Sequence, residues 1–297
     1  MPGHHHHHHE ISGKGLGYSI LLNIAITIAE VVGGIISGSM SLLTDAAHNF
    51  SDVLSLIISY VANRLSKRKA TEKFTYGLKR SEILAAFINS TTLIVIAIII
   101  LVESAERIYD PKPIAAEWVI YLALASIAVN GLSVLFIKKD IAGSMNIKSA
   151  YLHLFTDMLT SIAVLMGGLA MKYFQWYGLD AVLSIIIAFY LIYMSWDIFK
   201  SSLKILMQFT PPGIDIDKIC NHMQQITGIE NMHHVHAWQL NENDIIFEAH
   251  IDLSENVRIS EFEKILTEIK KVLEDSGIRH CNIQPEFSVN DSKQRIH

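Results

Sequence analysis

Residues 41–69 read SLLTDAAHNFSDVLSLIISYVANRLSKRK. From Ser41 to Asn63 there is no Lys or Arg, and the run is as long as the roughly 20 residues a helix needs to cross a hydrocarbon layer. From Arg64 the chain turns basic, with Lys67, Arg68 and Lys69 in succession. The stretch therefore reads as a membrane span that stops against a positively charged loop. Yet the span carries Asp45, His48, Asn49 and Asp52, groups that are costly in lipid and that normally face a protein interior for a functional reason. His48 and Asp52 stand four apart, so on a helix they share one face.

The rest of the chain fits that reading. Apolar residues make up 51% of it and charged residues 18%, below the usual quarter of a soluble domain. Apolar runs near residues 17–37, 41–63, 81–104, 117–138, 147–172 and 178–199 predict six transmembrane helices in residues 14–207. Basic residues crowd the second connection, Arg64 to Arg80, and the fourth, which holds Lys138, Lys139 and Lys148, so both termini and these loops are expected in the cytoplasm. No signal-peptide cleavage pattern precedes the first run. Residues 1–13, MPGHHHHHHEISG, read as an expression tag and linker, so six of the fifteen histidines carry no argument. No basic block with interleaved aromatics is present, which sets nucleic-acid binding aside. Cys220 and Cys281 are too few and too far apart for a disulfide framework, in keeping with a reducing compartment.

The fifth run repeats the pattern of the second as HLFTD, residues 153–157. Spans two and five run in opposite directions across the layer, with Asp52 roughly 11 residues from the outer end of its span and Asp157 roughly 10 from the inner end of its own. Both pairs fall near mid-membrane, and antiparallel packing sets His48 level with Asp157 and Asp52 level with His153. Two imidazoles and two carboxylates at one depth supply the four nitrogen and oxygen ligands of a tetrahedral Zn²⁺ site, with Cd²⁺, Co²⁺ or Fe²⁺ as other candidates. Asp45 lies nearer the outer face as a candidate exit-path residue. A lone buried histidine is often only a packing residue, but no Lys or Arg occupies the middle of any span to neutralise the aspartates. Each charged Asp at that depth costs at least ~2.5–3.5 kcal/mol, so a metal or protons must balance them. When the metal leaves, protons should replace it, which links metal export to H⁺ entry without ATP. No Walker A glycine pattern suggests otherwise.

Other polar residues inside spans, Asn23, Glu30, Asn89, Glu103, Asn130 and Asp180, line the path or bond between helices. Gly34 and Gly38, and the pair Gly167 and Gly168, are expected to permit close helix approach. After Phe209 the sequence TPPGID punctuates the chain and residues 208–290 become soluble in character, ahead of a tail at 291–297. Periodicity predicts helix 216–225, strand 233–240, the turn NEND, strand 245–253, helix 260–274 and strand 279–287. This αββαβ order implies a small open sheet with helices on one face. Strand alternation puts His234 and His236 on one side and His233 on the other.

The segments SGSMSLLTDAAHNFSDVLSL (37–56), FTYGLKRSEILAAFINS (74–90), NIKSAYLHLFTDMLTSIAVL (146–165), GLDAVLSIIIAFYLIYMSWDIFKSSLKILM (178–207) and HHVHAWQL (233–240) resemble the cation diffusion facilitator family, in particular its bacterial zinc/cadmium exporters. The resemblance implies a homodimer in the bacterial inner membrane and a transport site at His48, Asp52, His153 and Asp157. It also implies alternating access coupled to H⁺ and a ferredoxin-like cytoplasmic domain that dimerises and often binds regulatory zinc. Relatives with Asp at the first ligand position are looser toward Fe²⁺ or Mn²⁺, so His48 points to zinc or cadmium. The loop KRKATEKFTYG lacks the His and Asp ligands that some relatives carry there. In the cytoplasmic domain, His233, His250 and Glu263 are the favoured regulatory ligands, with His280, Cys281 and Gln284 also in range; the alternative is that these are ordinary polar strand residues.

Two rivals stay in view. A membrane metalloenzyme would recruit a further acid or base, such as an H-E-x-x-H run, and none is present, so no enzymatic activity and no cofactor beyond Zn²⁺ itself are expected. A membrane-anchored zinc sensor would leave HNFSD and HLFTD without a role.

Overall fold

The computed structural model describes residues 13–137, 145–290 and 292–295; side chains are described at these positions except at 13–21, 56, 59, 135–137 and 145–153. The tag up to residue 12, the basic residues Lys138 and Lys139, and the side chains of Lys148 and His153 therefore lie outside the described residues. Six long helices come first: α1 (Gly13–Ser37), α2 (Met40–Ser66), α3 (Ser81–Tyr109), α4 (Ala116–Ile137), α5 (Met145–Phe174) and α6 (Gly178–Leu206). Among the described residues, Ser81–Tyr109, Ala116–Val134, Leu154–Phe174 and Gly178–Leu206 are long and apolar enough to cross a membrane, and Leu22–Ser37 is a shorter apolar helix. α2 is the least apolar of the six because it carries Asp45, His48, Asn49 and Asp52.

The chain divides into two compact units, residues to Ile58 with Ile88–Asp197, and Ser59–Phe87 with Ile198 onward. The first unit is helical. Its centre holds Leu42, Ala97, Val119, Ala123, Val164, Ala188 and Leu191, all fully buried. Alongside them it buries Glu30, Thr44, Asp45, Ser126, Asn130, Ser161 and Asp180, while Ile35, Ile99, Val102, Ile186 and Tyr193 face outward. Polar groups inside and branched aliphatics outside are what a bundle in lipid requires, since only the interior offers hydrogen-bond partners. A Cβ on Gly33 would fall 1.9 Å from Leu122 Cδ1, and one on Gly167 2.2 Å from Leu183 Cδ1, so these glycines let α1 meet α4 and α5 meet α6 closely. Gly38 has a different use from the packing role expected of it: its φ of +73° ends α1 and turns the chain into α2.

Asp180, in the first turn of α6, closes the start of α2. Its carboxylate accepts from Ser39 Oγ at 2.6 Å, Met40 N at 2.6 Å, Ser41 N at 3.2 Å and Ser41 Oγ at 2.5 Å. The negative group thus satisfies orphan donors at the positive end of the helix that bears HNFSD.

The second unit contains a small αββαβ segment: α7 (Ile216–Met223), β1 (Ile229–Gln239), β2 (Ile245–Leu253), α8 (Ile259–Asp275) and β3 (His280–Glu286). Asp215 caps α7 by accepting from Lys218 N at 3.1 Å. The sheet order is β1-β2-β3, with β1 and β2 antiparallel and β2 and β3 parallel through the α8 crossover. Ile219 and Met223 of α7 and Ile269 and Leu273 of α8 pack with Met232, Phe247, Ala249 and Ile251 in one core, so both helices cover the same sheet face. The residues alternating with these, His250 and Asp252 on β2 and Gln284 and Glu286 on β3, lie on the opposite face.

Candidate metal centres

In the helical unit, α2 places His48 and Asp52 one turn apart, and α5 brings Asp157 to them. His48 Nε2 lies 3.1 Å from Asp157 Oδ1 and 3.9 Å from Asp52 Oδ2. The ligand atoms of His48, Asp52 and Asp157 all fall within 4.8 Å of one another, a spacing that one metal ion can bridge. His48 and Asp157 are buried and Asp52 is half-buried. The fourth expected ligand, His153, stands one turn before Asp157 on α5, with its side chain outside the described residues. Asp45, the expected exit-path residue, is buried and accepts from Ser161 Oγ at 3.1 Å, and Ser161 in turn meets Ser126 Oγ at 3.0 Å. Glu30 accepts from Asn49 Nδ2 at 2.8 Å, which ties α1 to the residue next to His48.

The second unit assembles another histidine–carboxylate group. Strict alternation along β1 would separate His233 from His234 and His236, but the strand has a bulge. His233 pairs with His250 while His236 pairs with Glu248, so β1 spends one more residue than β2 over this stretch, and His234 takes a left-handed φ of +52° to make room for it. The expected separation of His233 is thereby undone. His233 lies across from His250, with ring centroids 5.5 Å apart, while His234 stacks on His250 at 4.8 Å and meets His236 at 5.0 Å. Glu286, 5% exposed, reaches both histidines from β3: its oxygens lie 3.3 Å from His233 Nε2 and 2.8 Å from His250 Nδ1. The latter contact is short yet not aligned as an N–H···O bond. Asp252 Oδ2 stands 3.3 Å from His233 Nδ1.

Glu263, expected as the third ligand here, is an exposed residue of α8. The apolar stripe of α8 packs on the sheet face opposite His250, so within one chain the sheet stands between Glu263 and the histidines. Gln284 is next to His250 in the register and bonds Glu286 Oε1 at 3.0 Å. Cys281 alternates onto the helix side with Phe247, and His280 meets the Tyr76 ring at 6.0 Å. Glu286 was the residue that sequence reasoning missed. Two-residue alternation from Gln284 points to it, but its place beside Asp252 is fixed only by the register of β3 on β2.

Residues 16–207 match the cation efflux transmembrane domain, and residues 211–288 match the cytoplasmic domain of cation efflux proteins. The chain belongs to the cation efflux family. Within this family it is similar to the cadmium, cobalt and zinc/H⁺-K⁺ antiporter of Bacillus subtilis, 33% identical with 95% of this chain and 92% of the relative covered. It also resembles the metal cation efflux system protein CzcD of Cupriavidus metallidurans, at 30% identity over 96% and 90% of the two chains. The zinc transporter ZitB of Escherichia coli is likewise 30% identical, over 93% of this chain and 88% of the relative. Membership makes this cation efflux protein a membrane protein of a transporter family, with a helical transmembrane domain followed by a cytoplasmic one.

Proposed function

We propose that the protein exports divalent transition metal from the cytoplasm, Zn²⁺ foremost with Cd²⁺, Co²⁺ and Fe²⁺ as lesser cargo, in exchange for H⁺ by alternating access. The observation that carries this reading is the convergence of His48, Asp52 and Asp157 within 4.8 Å in a bundle interior. The sequence holds no Lys or Arg between Lys14 and Arg64, or between Lys148 and Lys172, to balance those carboxylates. With His153 as fourth ligand, the tetrad takes the cation as a tetrahedral N₂O₂ site, and the two carboxylate charges cancel those of the ion. Opening the site to the other side releases the metal into water. The carboxylates left behind in low dielectric then take up protons, so the proton gradient drives the return step. The B. subtilis relative is named for exchange with H⁺ and the E. coli relative for zinc, which supports both halves of the scheme.

The same reading places six spans in a bacterial plasma membrane with both termini in the cytoplasm, and a ferredoxin-like cytoplasmic domain through which two copies pair. At that domain His233, His250 and Glu286 form a second metal centre that senses cytoplasmic metal, as their own 4.8 Å grouping supports. The test is zinc flux into proteoliposomes holding an internal indicator, with and without an imposed pH gradient. Gradient-dependent flux that disappears in Asp157→Ala supports the exporter. Absence of flux with Zn²⁺, Cd²⁺, Co²⁺ and Fe²⁺ alike would leave the membrane-anchored sensor in its place.

A further inference from the structure

The C-terminal segment returns to the cytoplasmic centre, and the transport scheme does not use it. His234 N donates to Gln294 O at 3.1 Å and Val235 N to Arg295 O at 2.8 Å, so residues 294–295 lie along the bulge of β1. Arg295 Nη1 is anchored 2.5 Å from Asp217 Oδ1 in the first turn of α7. Between these attachments and β3, Lys293 Nζ stands 2.7 Å from Asp252 Oδ1 and 3.3 Å from Glu286 Oε2. Glu286 Oε2 is also the atom 3.3 Å from His233 Nε2. One buried carboxylate oxygen is therefore shared by a candidate metal ligand and a tethered ammonium.

Charge counting separates two states. With His233 and His250 neutral, as imidazole metal ligands are, Asp252 and Glu286 carry two negative charges, against which Lys293 sets one positive charge. A divalent ion in place of Lys293 makes the group neutral; a divalent ion beside Lys293 makes it positive, with two cations on one carboxylate in a largely buried site where repulsion is poorly screened. We infer that Lys293 is an affinity-setting residue of this centre: its ammonium and a divalent transition metal compete for Glu286, and metal binding releases Lys293 from Glu286 and residues 294–295 from β1. The inference rests on the reading of His233, His250 and Glu286 as a metal centre.

The experiment is equilibrium dialysis of the full-length protein in detergent against buffered free Zn²⁺, together with hydrogen exchange at the His234 and Val235 amides. The comparison set is wild type, Lys293→Met, Lys293→Arg and His250→Ala. We expect His250→Ala to lose one bound zinc, Lys293→Met to bind that zinc about 10-fold more tightly, and Lys293→Arg to stay near wild type. Zinc should speed exchange at the two amides in wild type and leave it unchanged in His250→Ala. A lost zinc in His250→Ala combined with unaltered affinity in Lys293→Met and unaltered exchange would overturn the tail's role alone. Weaker zinc binding in Lys293→Met would overturn it too, by making the tail a support of the site. Identical zinc binding in His250→Ala and wild type would remove the metal centre and, with it, the inference.

Discussion

In the helical unit, His48, Asp52 and Asp157 converge in a segment of sequence without Lys or Arg, whereas in the cytoplasmic segment His233, His250 and Glu286 converge with Lys293 Nζ only 3.3 Å from Glu286. Both groups combine imidazole with carboxylate, so ligand chemistry does not distinguish them. Their counter-charges do. On the proposed reading, a centre whose helices bring no Lys or Arg to it needs its cargo or protons for neutrality and is suited to exchange; a centre with a tethered ammonium has part of its charge balanced without metal and is suited to respond to concentration.

The largest difference between the two groups is expected at their carboxylates and imidazoles. If the exporter reading holds, Asp157→Ala should lower zinc flux by more than about 100-fold, since losing a proposed ligand should exceed the 10–100-fold typical of a supporting residue. His250→Ala should keep flux at saturating zinc. Loss of flux in both would make the two centres one functional unit. Next in size is Asp180→Ala, which strands the donors of Ser39, Met40 and Ser41 at the start of α2. We expect about 2–4 kcal/mol of destabilisation, read as a lower unfolding temperature in detergent. An unchanged unfolding temperature would show that water replaces the cap. Glu286→Gln keeps the shape of the cytoplasmic centre but removes its charge. It should weaken the His250-dependent zinc by about 10–100-fold in dialysis while flux through the bundle continues.

The smallest effect concerns Lys79 and Asp244, 2.7 Å apart. The Lys79 hydrogen bond holds the Asp244 carboxyl below its ordinary range against some desolvation. Because the folded value is depressed, the contribution is complete above the unfolded value of about 3.9 and is lost as pH falls through the folded one. Both side chains are more than a third exposed, so Lys79→Ala should cost less than about 1 kcal/mol at neutral pH. Acid titration of stability should show that difference from wild type vanishing below the folded value. A difference persisting there would assign Lys79 a role other than this pair.

Legibility followed sequence distance. The long apolar runs and the αββαβ order were readable because helix and strand periods are local, and element ends moved by only a few residues: the last strand, expected over 279–287, runs His280–Glu286. Pairing His48 with Asp52 needed only the helical repeat. The faces of β1 were misread because the extra residue at His234 resets the alternation, and nothing in HHVHAW marks a bulge. Glu286 lies outside the set that the sequence suggests, which includes Glu263, for a similar reason: the parallel register that sets Glu286 beside Asp252 is not written in either segment.

By itself, the sequence determined that this is a membrane protein with histidine and aspartate on helix faces, since hydropathy and the 3.6-residue repeat act over a few turns. Only the tertiary structure decided that Asp180 closes α2, that His233 turns toward His250, that Glu286 joins them and that Lys293 reaches the same carboxylate. Each of these joins positions far apart in the chain. Their meeting depends on packing, register and a single left-handed residue, which no local pattern encodes.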